Sequence, residues 1–411
     1  MGNIRNKAWV VLVAATLFNF LAGLLYIWSI ISKAMMTEFH WTASQASLPY
    51  TVATVTFVFS MVLFGRLQDI KGPRLCATIS GSLMGSGLIL SSLTQDPLVM
   101  IITFGIITGA GIGISGVVTI PPSVKWFSPQ KKGLISGVVL GAVAVSSVFF
   151  SPLTNYLLNR FGISKTFLII GIGVGVIMVI LAQFLNNPPA NYRPDSLRQQ
   201  MENGNTPNNP IKTQDIDLNW RDLLKSLGFY KLWLMFAFSS TTGLMIFGHA
   251  ANIAKFQVGW EGGYLLVIFL ALFNCVGRLS GGIISDKIGR FNVMRIIFAV
   301  QAVNILLFCV YHSVLLLIVG VGIAGICFGA AFPVFSATVA DLYGMKNYGA
   351  NYGLMFTAWG AGGIIGPMTA ASIFDATSSY NNAYIVASVL LVIALAIAFT
   401  FKRSVLHQNN S

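Results

Sequence analysis

Arg278 lies inside an otherwise apolar stretch, 264–284, in a run that reads Ala-Leu-Phe-Asn274-Cys-Val-Gly-Arg278-Leu-Ser. An arginine at mid-membrane depth costs about 2.5–3.5 kcal/mol even on lenient insertion scales, so it faces a helix-bundle interior or a watery cavity and meets a partner there. All twelve acids can be placed. Glu38, Asp69, Asp96, Asp195, Glu202, Asp215, Asp217, Asp222, Glu261, Asp286, Asp341 and Asp375 fall by pattern in loops or at the ends of apolar runs, and none is an obvious mid-membrane counter-ion. One reading is therefore that the anion comes from outside the chain. A guanidinium grips a carboxylate with two parallel charge-assisted hydrogen bonds, and in a low-dielectric cavity that pairing selects for anions. Asn274, one helical turn earlier, shares the face of Arg278, and its amide can donate to an anion or orient the guanidinium. The other reading is that Arg278 snorkels toward the cytoplasm or donates to backbone carbonyls.

The elements that must hold such a group follow from composition. Of 411 residues 55% are apolar and only 9% charged, and the mean hydropathy is +0.76, which no water-soluble surface accommodates. Apolar runs of spanning length occur at 8–31, 45–64, 75–94, 98–120, 134–157 and 166–185, and then at 232–254, 264–284, 294–311, 314–335, 350–374 and 384–401. The sequence thus predicts an all-α polytopic membrane protein of twelve transmembrane helices in two pseudo-symmetric six-helix bundles. Residues 1–185 form the first bundle, 186–231 a cytoplasmic linker, 232–403 the second bundle and 404–411 a cytoplasmic tail. The linker begins Asn-Asn-Pro-Pro and is too polar to bury a core. Its last part, Asp217-Leu-Asn-Trp-Arg-Asp-Leu-Leu-Lys-Ser-Leu227, reads as a short interfacial helix capped by Asn219 or Asp217. The first run follows Arg5 and Lys7 as a signal peptide would, but it is too long for one and is expected to be retained.

Twenty of the 25 Lys and Arg fall on the side that holds both termini. Lys33, Arg160, Lys165 and Lys255 fall on the other, and Arg278 lies between. Basic loops resist translocation, so both termini are expected in the cytoplasm and the net charge of +13 is mainly this asymmetry, without a nucleic-acid-binding face. The four cysteines show no CxxC spacing, so neither disulfides nor a metal site is expected, and no cofactor. A membrane enzyme would need a catalytic grouping, and no HExxH, GxSxG or Cys/His cluster occurs. A non-transporting sensor of an organic acid would need a signalling domain, which the eight residues after Arg403 cannot supply.

A second constellation is duplicated. Gly65-Arg-Leu-Gln-Asp69-Ile-Lys-Gly72-Pro-Arg74 follows the second run, and Gly282-Ile-Ile-Ser-Asp286-Lys-Ile-Gly289-Arg290 follows the eighth. Both contain Gly-x-x-x-Asp-x-x-Gly at equivalent places in the two halves. The first glycine lets helices approach closely, the aspartate can accept from a neighbouring helix N-terminus or an arginine, and the second glycine permits a tight turn. Gly65, Asp69, Gly72, Arg74, Gly282, Asp286, Gly289 and Arg290 thus form a candidate latch at the cytoplasmic face.

Twelve runs in two halves with this doubled loop resemble the major facilitator superfamily over nearly the whole chain. Tyr26-Ile-Trp28-Ser in the first run, Lys125-Trp126-Phe127-Ser-Pro129-Gln-Lys131-Lys132-Gly133 after the fourth and Asn347-Tyr348-Gly349 at the eleventh narrow the likeness. Together they resemble the monocarboxylate porters and the bacterial oxalate/formate antiporter group.

That resemblance implies a secondary transporter in the cytoplasmic (inner) membrane with its substrate arginine at this point of the eighth helix. Monocarboxylate porters of animal cells carry an aspartate where this chain has Asn274, so their proton relay does not transfer directly. Oxalate exchangers carry a second cation, a lysine, at the position that aligns with Trp359. A single arginine neutralises one carboxylate, and the expected cargo is a small monocarboxylate, lactate or pyruvate above all, with formate or acetate also open.

Tyr26, Trp28, Trp359 and Phe335 are the aromatics expected near the substrate, although interface or packing roles fit Tyr26, Trp28 and Trp359 equally. Phe332-Pro333 is assigned to packing or a kink. His249, roughly 13 Å from Arg278 along the normal by helical rise, is the proton-coupling candidate, although plain packing fits it better. Gly105, Gly109 and Gly113 have the x-x-x spacing of close helix packing. Proton symport is the expected coupling, anion exchange the alternative, and the expected assembly a monomer.

Overall fold

The computed structural model describes residues 2–189, 192, 217–260 and 262–401, and among the described residues every regular element is helical. The tail 404–411 and linker residues 193–216 lie outside the described residues.

The first crossing is α1 (Gly2–Ala22), a 3-10 turn (Gly23–Ile27) and α2 (Trp28–Glu38). Next comes α3 (Ala43–Lys71), opened by a capping box in which Thr42 Oγ1 accepts from Gln45 N at 3.2 Å and Gln45 Oε1 accepts from Thr42 N at 2.9 Å. Then α4 (Pro73–Ser91) leads to α5 (Pro97–Met100), whose free amide of Leu98 donates to Asp96 at 2.7 Å. A π-helical stretch (Ile101–Thr108) joins α5 to α6 (Gly109–Trp126).

The long α7 (Lys132–Ala182) is broken at Gly162, where φ is 75°, so it contains two crossings. The expected interfacial helix is a single turn, α8 (Trp220–Leu223). Asp217 does not cap it. Its carboxylate accepts instead from the backbone N–H of Lys346 at 2.9 Å. The remaining helices are α9 (Leu227–Val258), α10 (Tyr264–Ile288), α11 (Arg290–Leu307), α12 (Val314–Tyr343), α13 (Tyr348–Thr377) and α14 (Asn381–Thr400).

Nine helical segments among the described residues are long and apolar enough to cross a bilayer. One of them holds both parts of α7, and α4 and α13, 19 and 30 residues long, are not among the nine. The glycine stripe is structural, as expected. A Cβ at Gly109 would lie 2.7 Å from Ala53 Cα, one at Gly105 3.1 Å from the Val52 side chain, and one at Gly113 2.7 Å from Phe57 Cα, so α3 rests directly on this face.

The chain forms two compact units, Met1–Trp220 with Val339–Thr357, and Arg221–Thr338 with Ala358–Ser411. The first unit thus contains the corner between α12 and α13. The second contains the Arg278 region.

Candidate functional site

The second unit builds the Arg278 site from two helices that meet through glycine. On α10, Gly277 and Gly281 face the backbone of Ile326 and Ala330. On α12, Gly325 and Gly329 face the backbone of α10 at Leu270 and Asn274. Without Cβ atoms on either side the two backbones touch, and Phe332, one turn after Gly329, is brought onto Arg278. The guanidinium carbon lies 4.4 Å from the Phe332 ring centroid, a cation–π stack.

Arg278 is 3% exposed and Asn274 2% exposed. Arg278 Nε donates to Asn274 Oδ1 at 2.9 Å. Because a guanidinium only donates, this bond fixes which way the amide is turned. It leaves Asn274 Nδ2, a buried donor, without a partner among the described residues. Leaving such a donor unmatched costs about 1–3 kcal/mol, so its position beside a buried cation is informative.

The other expected residues are distributed differently. Trp28 is buried, its indole N–H donates to the Ala46 carbonyl at 2.8 Å and its ring packs 4.2 Å from Phe104. Both its polar and its apolar surface are therefore used within the first unit. Phe335 is stacked on Phe236 at 4.6 Å in the interior of the second unit. Phe332, assigned to packing from sequence, is an aromatic that touches the guanidinium. Trp359 is half-buried on α13, and the Tyr26 side chain lies outside the described residues.

His249, on α9, has both ring nitrogens engaged. Nε2 lies 3.0 Å from the Pro367 carbonyl and Nδ1 3.2 Å from the Tyr380 hydroxyl. The carbonyl can only accept, so Nε2 carries hydrogen, and Nδ1 accepts from Tyr380 in the neutral ring. Burial pushes the Tyr380 phenol above its ordinary value, which keeps it a donor here. In a protonated ring Nδ1 would donate to the same oxygen, so either state finds partners after rotation of one hydroxyl.

The duplicated loop makes defined contacts in both units. In the first unit Asp69 reaches across to α13, accepting from Gly349 N at 3.1 Å and Ala350 N at 2.8 Å. These are first-turn amides that the helix itself cannot satisfy, and a carboxylate complements the positive end of the helix dipole. A Cβ at Gly65 would fall onto the backbone of Gly349, so glycine is what lets the two helices approach. Gly72, at φ 88°, turns the chain into α4, and Arg74 is exposed.

In the second unit Asp286 pairs with Arg290 of its own turn, and Arg290 Nη1 donates to Ser285 Oγ at 2.7 Å. Ser285 in turn donates to the carbonyl of Gly282 at 2.9 Å, and Gly289 turns at φ 93°. Both loops therefore turn at a positive-φ glycine, Asp69 holding the first turn of α13 and Asp286 pairing with Arg290. Lys132, in the stretch after the fourth crossing, pairs with Asp341 at 2.8 Å within the first unit.

The family description Major Facilitator Superfamily matches residues 10–303 and 252–411. The chain belongs to the major facilitator superfamily and is a membrane transporter rather than an enzyme. Its relatives within the superfamily include monocarboxylate and oxalate/formate transporters. It is 24% identical over 402 residues to the oxalate:formate antiporter of Oxalobacter formigenes, covering 97% of this chain and 92% of that one. It is 23% identical over 403 residues to monocarboxylate transporter 13 of Rattus norvegicus, covering 95% and 88%. The solved structure of the proton:xylose symporter XylE matches with a TM-score of 0.75 at 16% identity, over 97% of this chain and 96% of that one, a likeness of fold.

Proposed function

We infer that this transporter carries a small monocarboxylate, lactate or pyruvate in the first place, across the cytoplasmic membrane by alternating access. The observation that supports this most directly is the buried Arg278–Asn274 pair. The guanidinium is oriented through Nε, and the adjacent amide offers an N–H that lacks a partner among the described residues. A carboxylate placed there would take charge-assisted bonds from the fork and a third bond from Asn274. Phe332 closes one face of the guanidinium and favours approach in its plane. The relatives named for monocarboxylates and for oxalate and formate favour the same chemistry.

A second carboxylate on the cargo would carry a charge for which this site provides no second cation at Trp359, so one negative charge is the better match. Proton symport is the coupling we favour, because an anion accompanied by a proton does not oppose a negative-inside potential worth about 2.3 kcal/mol per charge per 100 mV. His249, able to satisfy both ring nitrogens in either protonation state, is the candidate carrier. Exchange of anions is the second reading, favoured by the Oxalobacter relative.

The Asp69 contact is the gating latch in this scheme, with Gly65, Gly72 and Arg74 shaping it and Gly282, Asp286, Gly289 and Arg290 as its counterpart in the other half. The distribution of basic residues supports cytoplasmic termini.

Uptake of labelled lactate into proteoliposomes under an imposed inward proton gradient tests both parts. Accelerated uptake, inhibited by pyruvate more strongly than by oxalate, is expected. Tighter binding of oxalate than of lactate removes the monovalent-cargo reading, and indifference to the gradient removes symport in favour of exchange.

A further inference from the structure

Both ends of the linker are stitched to the first unit by polar bonds at defined atoms. At its start, Trp126 Nε1 donates to the Asn186 carbonyl at 2.7 Å, and the Tyr192 hydroxyl donates to the Trp126 carbonyl at 3.1 Å. The two rings meet edge to face at 4.9 Å. At its end, Leu218 uses both of its backbone groups. Its N–H donates to the Tyr343 carbonyl at 3.1 Å. Its carbonyl accepts from Asn347 Nδ2 at 3.3 Å and Asn351 Nδ2 at 3.0 Å. Asp217 accepts from Lys346 N, and the Arg66 guanidinium lies 5.8 Å from the Trp220 ring.

The partners of Asp217 and Leu218 are therefore Tyr343, Lys346, Asn347 and Asn351. That is the corner whose next amides, Gly349 and Ala350, Asp69 holds. Lys125 interacts electrostatically with both Asp69 and Asp217, joining the two contacts. A passive tether needs only length and solubility. Four hydrogen bonds from two residues onto the corner between α12 and α13 fix that corner in place, in addition to the contacts that α3 makes with it through Gly65 and Asp69.

We propose that Asp217 and Leu218 are positioning residues that present the first turn of α13 to Asp69, so that release of the latch requires release of the linker end. This rests on the latch reading of Asp69 and is independent of what the protein carries.

Hydrogen exchange of the full chain in lipid nanodiscs tests it, read by mass spectrometry on peptides covering 344–352, with peptides covering 270–280 as the folding control. Asn347→Ala with Asn351→Ala, which removes both donors to Leu218, and separately Asp217→Ala, should each accelerate exchange at 344–352, the double variant by about tenfold. Exchange at 270–280 should stay within about twofold of the parent. Added to Asp69→Ala, which itself should accelerate 344–352, the double substitution should add less than about twofold, because neighbours acting through one contact are not additive. Unchanged exchange at 344–352, equal acceleration at both segments, or full additivity with Asp69→Ala would each overturn the proposal. No step uses a substrate, so a wrong cargo leaves the test standing, whereas an Asp69→Ala variant without effect at 344–352 overturns the latch itself.

Discussion

Replacing Gly329 by alanine should damage the Arg278 site without touching any of its polar groups. The added Cβ would lie 2.9 Å from the Asn274 carbonyl carbon and 3.0 Å from its Cα, with the carbonyl oxygen nearer still. These are backbone atoms of a helix and cannot swing aside. Restoring ordinary contacts, with the carbonyl oxygen the nearest atom, requires α10 and α12 to part by roughly 1 Å or more.

Overpacking of this kind costs about 1–3 kcal/mol. The displacement also pulls Phe332 from the guanidinium and shifts Asn274, and a misplacement of about 1 Å at a binding constellation is worth as much as a hundredfold in function. We expect a lower melting temperature in detergent and lactate affinity reduced by at least about tenfold. The control is Gly173→Ala, where a Cβ meets nothing within 4 Å and helix propensity alone should make the change neutral or stabilising by up to about 1 kcal/mol. If Gly329→Ala matches Gly173→Ala in melting and in lactate binding, the glycine-mediated contact does not position the site.

Two further substitutions separate packing from binding. Trp28→Phe removes the indole bond to Ala46 and should cost about 0.5–1.5 kcal/mol of stability while leaving lactate affinity within twofold of the parent. A large loss of affinity at unchanged melting temperature would return Trp28 to the substrate site. Phe332→Leu keeps apolar bulk but removes the ring face under Arg278, worth up to about 2 kcal/mol when desolvated. It should weaken lactate binding by roughly three- to thirtyfold with only a small change in melting temperature, and unaltered binding would deny the ring a role in orienting the guanidinium.

The architecture was legible because a bilayer demands long apolar runs, and such runs need no partner to be recognised. Where one crossing ended and the next began was less so. A single glycine at 162 separates two crossings of α7, and its neighbours continue the helix on both sides. Arg278 and Asn274 were readable as a pair because helical spacing of four fixes a shared face.

Phe332 was not, since its contact depends on how closely α10 and α12 approach. The signal was present in Gly325, Gly329, Gly277 and Gly281 but needed the partner helix to interpret. The duplicated loop announced an aspartate able to hold a helix N-terminus, yet nothing local showed that α13 is the helix Asp69 holds or that Arg290 pairs with Asp286. The bonds of Asp217 and Leu218 are wholly non-local. Backbone groups carry no side-chain signature, and the polar composition around them resembles that of any solvated linker.

The central claim is that the Arg278 guanidinium holds the cargo's carboxylate, and equilibrium binding of lactate to purified Arg278→Lys and Arg278→Ala tests it most directly, with melting curves confirming that each variant is folded. Truncating one member of a buried, hydrogen-bonded charge pair costs about 2–5 kcal/mol. Arg278→Ala should therefore bind lactate at least about thirtyfold more weakly, and Arg278→Lys, keeping the charge but losing the fork, should fall between it and the parent. Lactate bound and carried at parental strength by both variants would contradict the account.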